Sequence, residues 1–164
     1  MKFFVFALFS ILAINTASAT EVAVVDMRAA LLQSNAGQEA SKAPRSQIQA
    51  MEARLNQEKK SVNELIDAYK RDELTLSQEL STQRKKDIST AQSKVRNMEA
   101  QMQRKAQSLE QAVIKSLLPK GEAALKSLIE EKKLDLVLNR QVTIFAAQSV
   151  DITAQLVEVL NKGE

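Results

Sequence analysis

Residues 45–118, RSQIQAMEARLNQEKKSVNELIDAYKRDELTLSQELSTQRKKDISTAQSKVRNMEAQMQRKAQSLEQAVIKSLL, run for 74 positions without a glycine or a proline, and Tyr69 is their one aromatic residue. A stretch that lacks both turn formers and bulky core-fillers cannot wrap into a compact body. It reads as long helix. A single straight helix of this length would reach roughly 110 Å at 1.5 Å per residue, and a hairpin about half of that.

Seven-residue spacing decides between these shapes. Ile48, Leu55, Val62, Tyr69 and Leu76 form one series, with Met51 and Leu65 at companion positions and Glu58 and Asp72 interrupting them. Ile88, Val95, Met102 and Leu109 form a second series, flanked by Ala91, Met98 and Ala112 and broken by Lys105. Such heptads specify a narrow seam between two helices rather than a globular core. The second series starts out of phase with the first, which predicts a turn between antiparallel helices near residues 72–81. Thr75-Leu76-Ser77-Gln78 resembles a capping box that would start the return helix. A continuous helix with a stutter is the alternative.

Working outward, Gly37 and Pro44 punctuate the entry to this region. Pro119 and Gly121 interrupt its exit, although apolar spacing resumes at Leu117, Ala124, Leu125, Leu128 and Ile129. A kinked helix continuing to about Lys133 accounts for both observations. On the N-terminal side, EVAVVDM (21–27) suits a buried strand, and Asp26 can cap a short helix carrying Met27, Ala30 and Leu31. On the C-terminal side, Leu134–Leu138 reads as a second strand, Asn139-Arg140-Gln141 as a hairpin loop and Val142–Ala146 as a third strand. Asp151 can cap a last helix with Ile152, Leu156, Val159 and Leu160 on its apolar face.

The expected fold class is α+β. A long antiparallel coiled-coil hairpin (42–118) is inserted into a small β-sheet body (20–41 and 119–164). A body of this size is marginal alone, and its open sheet edges invite association. Val22, Val24, Leu136, Leu138 and Ile144 are the candidate oligomerisation residues. The chain is not expected to be a monomer.

The first residues, MKFFVFALFSILAINTASA, have the parts of a secretory signal. Lys2 is the positive start, Phe3 to Ile14 the apolar run, and Ala17-Ser18-Ala19 the cleavage site. The run is too short for a bilayer core of about 30 Å, which needs about 20 residues. Cleavage after Ala19 would release a chain outside the cytoplasm. No cysteine follows the run, so lipidation there is not expected. The whole sequence lacks cysteine and histidine. That removes disulfides, thiol catalysis, the commonest general base and the commonest metal ligand.

Charge is uneven. Residues 80–118 carry eight basic residues against Asp87, Glu99 and Glu110, whereas 42–79 balance at seven of each sign and the body is mildly acidic. Arg84, Lys85, Lys86, Lys94, Arg96, Arg104 and Lys105 are therefore candidate contacts for an anionic partner, drawn by long-range attraction. Plain solvation of a coiled-coil face is the alternative. Nucleic acid is not the expected partner, because the arm has no set of stacking aromatics.

Taken together, VAVVDM (22–27), KLDLVLN (133–139) and TIFAAQSVDITAQLVEVLNK (143–162) around a Lys/Gln/Glu-rich hairpin resemble the Skp/OmpH family of periplasmic chaperones. The resemblance spans essentially the whole chain after the signal. It implies a homotrimer whose body sheets join at the centre while three hairpins surround a cavity. It also implies a periplasmic location and unfolded outer-membrane β-barrel proteins as clients. Lipopolysaccharide or an anionic lipid surface is implied as a further partner through basic arm residues, with Lys85, Lys86, Lys94 and Arg96 the nearest cluster.

Holding unfolded chains calls for many weak, adaptable contacts rather than one pocket. Met51, Met98 and Met102 could supply soft surface, although their heptad positions favour a role in filling the seam. Stems of exposed lysine and arginine can cover apolar client segments while their heads stay wet. No phosphate-binding G-x-x-x-x-G-K-[ST] loop is present, so ATP is not the expected driver, and no cofactor or metal is expected. No nucleophile and base are arranged for catalysis, so an enzyme is not expected. A secreted coiled-coil spacer without clients is the competing reading.

Overall fold

The computed structural model describes residues 20–163, so the expected signal segment lies outside the described residues. The chain runs β1 (Val22–Val25), α1 (Met27–Gln33), α2 (Asn35–Asp72), α3 (Gln78–Lys132), β2 (Leu136–Asn139) and α4 (Thr153–Lys162). Short 3-10 turns occupy Arg140–Val142 and Gln148–Val150 between β2 and α4.

The two strands pair in parallel, with Val22 opposite Leu136 and Val25 opposite Asn139. A parallel pair needs a long crossover, and here the entire hairpin provides it. Ala23 and Val25 point into a core shared with Ala30, Leu128, Ile152 and Leu156, with Val137 packed against it. A second cluster of Leu31, Val113 and Leu117 sits where α1 meets the root of the hairpin.

Local chemistry explains the joints. The Asp26 carboxylate accepts from the Ala29 amide at 2.8 Å, the cap expected for α1. Ser34, only 2 % exposed, separates α1 from α2. Its hydroxyl donates to the Leu31 carbonyl at 2.7 Å and accepts from the Gly37 amide at 3.1 Å. Gly37 and Pro44 are both inside α2 rather than ahead of it, which corrects their reading as punctuation. Gly37 serves the close approach of two helices, and Pro44 removes a single amide from a helix long enough to tolerate the loss.

The hairpin turns at residues 73–77, inside the expected window and without glycine. The cap of α3 is Ser77, whose hydroxyl accepts from the Leu80 amide at 3.3 Å. Thr75, the expected cap, instead donates its hydroxyl to the Asp72 carbonyl at 2.8 Å and closes the end of α2. Tyr69 clamps the turn, with its hydroxyl 2.9 Å from a Glu73 carboxylate oxygen and 3.1 Å from Ser81 Oγ.

Heptad positions point where the spacing placed them. Leu55 and Val62 are buried, and Ile48, Met51, Leu65, Tyr69, Ile88, Ala91, Val95, Met98, Met102 and Leu109 are half-buried. Ala112 is exposed and does not join the seam. Two ion pairs cross between the helices, Glu58–Lys94 at 2.6 Å and Lys59–Glu99 at 2.7 Å. The Glu58 that interrupts the apolar series is thus used to tie the arms together. Arg28 of α1 pairs with Glu110 of α3 and ties the hairpin root to the body.

The expected third strand is absent. Residues 142–146 pair with no strand, and Asn139 diverts the chain after β2. Its side chain accepts from the Gln141 amide at 2.9 Å, and its carbonyl accepts from the Thr143 hydroxyl at 2.8 Å. The chain then returns on the far edge of β1, where the Ile152 amide donates to the Val24 carbonyl at 2.9 Å and Asp151 bridges Val24. The formal cap of α4 is Ile152, one residue later than expected. Asp151 still accepts from the Thr153 amide at 2.9 Å and the Thr153 hydroxyl at 2.6 Å. Those bonds, with Arg140 nearby, hold its carboxyl below the usual carboxylate range.

Candidate functional site: a basic arm and an open apolar sheet face

Two surfaces stand out, and different elements build them. The first is α3 from Arg84 to Lys105. Arg84, Lys85, Lys86, Lys94, Arg96, Arg104 and Lys105 are all exposed on this one helix. Their states differ. Lys94 is committed to Glu58, and Lys85 lies 5.6 Å from the centre of the Tyr69 ring, within cation–π range. Arg96 donates to Ser93 Oγ at 2.8 Å. Among the described residues, Arg84, Lys85, Lys86, Arg96, Arg104 and Lys105 have no carboxylate partner. Six basic side chains without carboxylate contacts, on a helix stretch where basic residues outnumber Asp87, Glu99 and Glu110, leave a positive field available to anions.

The second surface is the face of the β1–β2 sheet turned away from α4. Val22, Leu136 and Leu138 are 37 %, 47 % and 39 % exposed there, an unusual amount for branched apolar side chains on a sheet. Val24 stands in register with Leu138 but is 3 % exposed, because the returning 150–152 segment covers it. Its side chain is part of the protomer's own interior. Ile144 is fully exposed, and Val142 and Phe145 beside it are more than three-quarters exposed. Val142 and Phe145 were not singled out from the sequence, because assignment to a strand hid their exposure. The run Val142–Phe145 lies next to Asn139, whose bonds decide that no strand forms. The outer backbone edge of β2 has no strand partner among the described residues.

A groove of about 380 Å³ at the hairpin root is lined by Leu32, Pro44, Ile48, Leu109 and Val113. Among the described residues no cluster of three or more acidic side chains is placed to hold a metal ion. No described helix is long and apolar enough to cross a membrane.

The family model for outer membrane protein (OmpH-like) matches residues 21–160, which takes in both surfaces and the hairpin between them. This chain belongs to the OmpH-like family. An OmpH-like protein from Caulobacter crescentus, described as a candidate outer membrane chaperone, has a crystal structure that superposes with a TM-score of 0.59. The match has 17 % identity and covers 90 % of this chain and 87 % of that one, so it shows a shared fold. No curated protein matches the chain in sequence. Membership of the OmpH-like family agrees with the resemblance carried by Val22–Met27 and by the 133–162 ending.

Proposed function

We propose that this OmpH-like chain is an ATP-independent periplasmic holdase. It keeps unfolded outer-membrane β-barrel proteins from aggregating, in a cavity between helical arms. The observation that carries this reading is the row of six basic residues without carboxylate partners on an arm that projects from a small body. An unfolded chain is a large, mobile target. A field reaching about 8 Å at physiological salt raises its rate of encounter without demanding a particular sequence.

The apolar sheet face supports assembly as a homotrimer. Val22, Leu136, Leu138, Val142, Ile144 and Phe145 would cover one another in a way a single body cannot. Joined bodies would hang several arms around a shared space, and many weak contacts lining that space would hold a client broadly and reversibly. Lipopolysaccharide or another anionic lipid surface fits the same basic row. Release follows from competition with a tighter sink, such as insertion of the barrel into its membrane.

Native mass spectrometry of residues 20–164, with and without a urea-unfolded barrel protein diluted into it, tests the reading. A homotrimer that takes up one client supports it. An oligomer that takes up none while the client aggregates replaces it with a coiled-coil spacer.

A further inference from the structure

Between Ile48 and Glu58 on α2, the large apolar side chains of the seam are Met51 and Leu55. Between Lys94 and Leu109 on α3 they are Val95, Met98 and Met102. The ion pairs Glu58–Lys94 and Lys59–Glu99 fix the antiparallel register, which sets Met102 near the level of Met51 and Met98 near that of Leu55, with Val95 one step further along toward Val62. Three of the five are methionines, and all three are half-buried rather than sealed. Met27 is half-buried as well, but its packing differs. It packs against both core clusters of the body, and its sulfur lies over Gly121, where even a methyl group would come within 2.8 Å of it. The chain has no cysteine, so thioethers are its only readily oxidised sulfur.

We propose that Met51, Met98 and Met102 form an oxidation-sensitive segment of the hairpin, whose conversion to sulfoxides by a peroxide opens the mid-arm seam while the body stays folded. In the step, the thioether sulfur attacks one peroxide oxygen. The O–O bond breaks, an S–O bond forms, and the second oxygen leaves as water with both hydrogens. Sulfur is oxidised by two electrons and the peroxide is reduced by two. The product replaces a soft apolar group by a strongly polar one. In a two-helix seam each such group has few apolar neighbours to lose, and Leu55 alone cannot hold the two methionine layers. Glu58, Lys59, Lys94 and Glu99 would then separate, because exposed ion pairs contribute little without packing beneath them.

The test is mild treatment of residues 20–164 with hydrogen peroxide. Sulfoxides are then mapped by peptide mass spectrometry and amide exchange is measured on the same sample. The expected result is oxidation of Met51, Met98 and Met102 faster than Met27, whose sulfur is packed over Gly121. Amide exchange should rise about tenfold over 48–60 and 94–109, with 22–31 and 153–162 unchanged. The Met51→Leu, Met98→Leu, Met102→Leu triple variant, which keeps the seam apolar, should show no change in exchange under peroxide. Equal or faster oxidation of Met27 overturns the proposal. So does an unchanged arm after full oxidation of the three, or an equal response in the triple variant.

Discussion

Gly37 lies directly beneath the Leu31 carbonyl, so that a Cβ built on Gly37 would overlap the Leu31 oxygen and crowd Leu32 Cα. The obstacle is backbone, which has nowhere to go, because Ser34 locks the elbow between α1 and α2. Gly37→Ala is therefore expected to cost about 3 kcal/mol, the upper end of overpacking penalties, despite alanine's better helix propensity. At Gly121 a Cβ would meet only the ends of flexible side chains, Leu31 Cδ2 and Met27 Sδ, each at 2.8 Å. Gly121→Ala should cost less, since side chains yield more readily than backbone and the helix gains about 1 kcal/mol in propensity. Denaturant unfolding followed by circular dichroism ranks the two, and Gly121→Ala proving the worse would show the elbow to be pliable.

Lys133 ends α3 in the left-handed region, with φ 53° and ψ 45°, while its amide donates to the Ile129 carbonyl. That conformation costs a side-chain-bearing residue about 1 kcal/mol, and glycine adopts it freely. Lys133→Gly should raise stability by about 1 kcal/mol, and Lys133→Val should lower it by at least as much. A thermal melt of the three proteins at equal concentration checks both directions.

Asp151 joins the ending of the chain to its beginning. Its carboxylate accepts from Thr153, whose hydroxyl in turn accepts from the Asp26 amide at 2.9 Å. Because the folded state holds this carboxyl below its ordinary value, it adds stability above the unfolded pKa of about 3.9. That contribution is lost as pH falls through the lower, folded value. Asp151→Ala should cost about 1 kcal/mol at pH 7, and the gap to the parent protein should narrow as pH drops below about 4. Unfolding curves at pH 7, 4 and 2.5 measure it. A gap that stays constant with pH would assign the loss to packing instead of charge.

The distinction between what was legible and what was not follows the range of the interactions. Ile48, Leu55 and Val62 announce a seam by spacing alone, because a helix converts sequence distance directly into a face. The turn could be located near Thr75 for the same reason, but Thr75 donates its hydroxyl back to the Asp72 carbonyl, which leaves Ser77 to accept from the Leu80 amide and cap the return helix. Gly37 reads as a breaker until Leu31 is seen above it, and that contact exists only once the Ser34 elbow has folded. Val142–Ala146 has the composition of a strand, yet Asn139 turns the chain away from β2 and no partner remains in the protomer. Of the residues flagged for assembly, Val22, Leu136, Leu138 and Ile144 are exposed, while Val24 is covered by a segment that local pattern could not place. The basic residues were legible as a group. Which of them are free was not, since pairing of Lys94 with Glu58 requires the hairpin's register.

That register makes the charge hypothesis more discriminating. Replacing Arg84, Lys85, Lys86 and Arg96 by glutamine removes exposed charges without carboxylate partners. Capture of an unfolded barrel protein should slow about tenfold at low salt and lose most of its salt dependence. Lys94→Gln alone should change capture little and instead loosen the mid-arm contact with Glu58. Stopped-flow light scattering of client aggregation, at low and high ionic strength, reads the rate. An unchanged rate for the fourfold variant at low salt would remove electrostatics from the mechanism.

The sheet face gives the remaining expectation. Leu136 and Leu138 are directed away from the core that Val137 joins, so an aspartate at either site need not disturb the protomer's interior. In an assembled face the same aspartates would be buried without partners, at a cost of several kcal/mol for each copy. On the proposed assembly, Leu136→Asp with Leu138→Asp should therefore yield folded monomers at concentrations where the parent sediments as a trimer. Val24→Asp should unfold the body itself, because Val24 is already covered by the 150–152 segment. Analytical ultracentrifugation with circular dichroism separates the cases. Persistence of the parent's oligomer in the double variant would move the interface off this face, and the exposed run of Val142, Ile144 and Phe145 would then be the next place to put the charge.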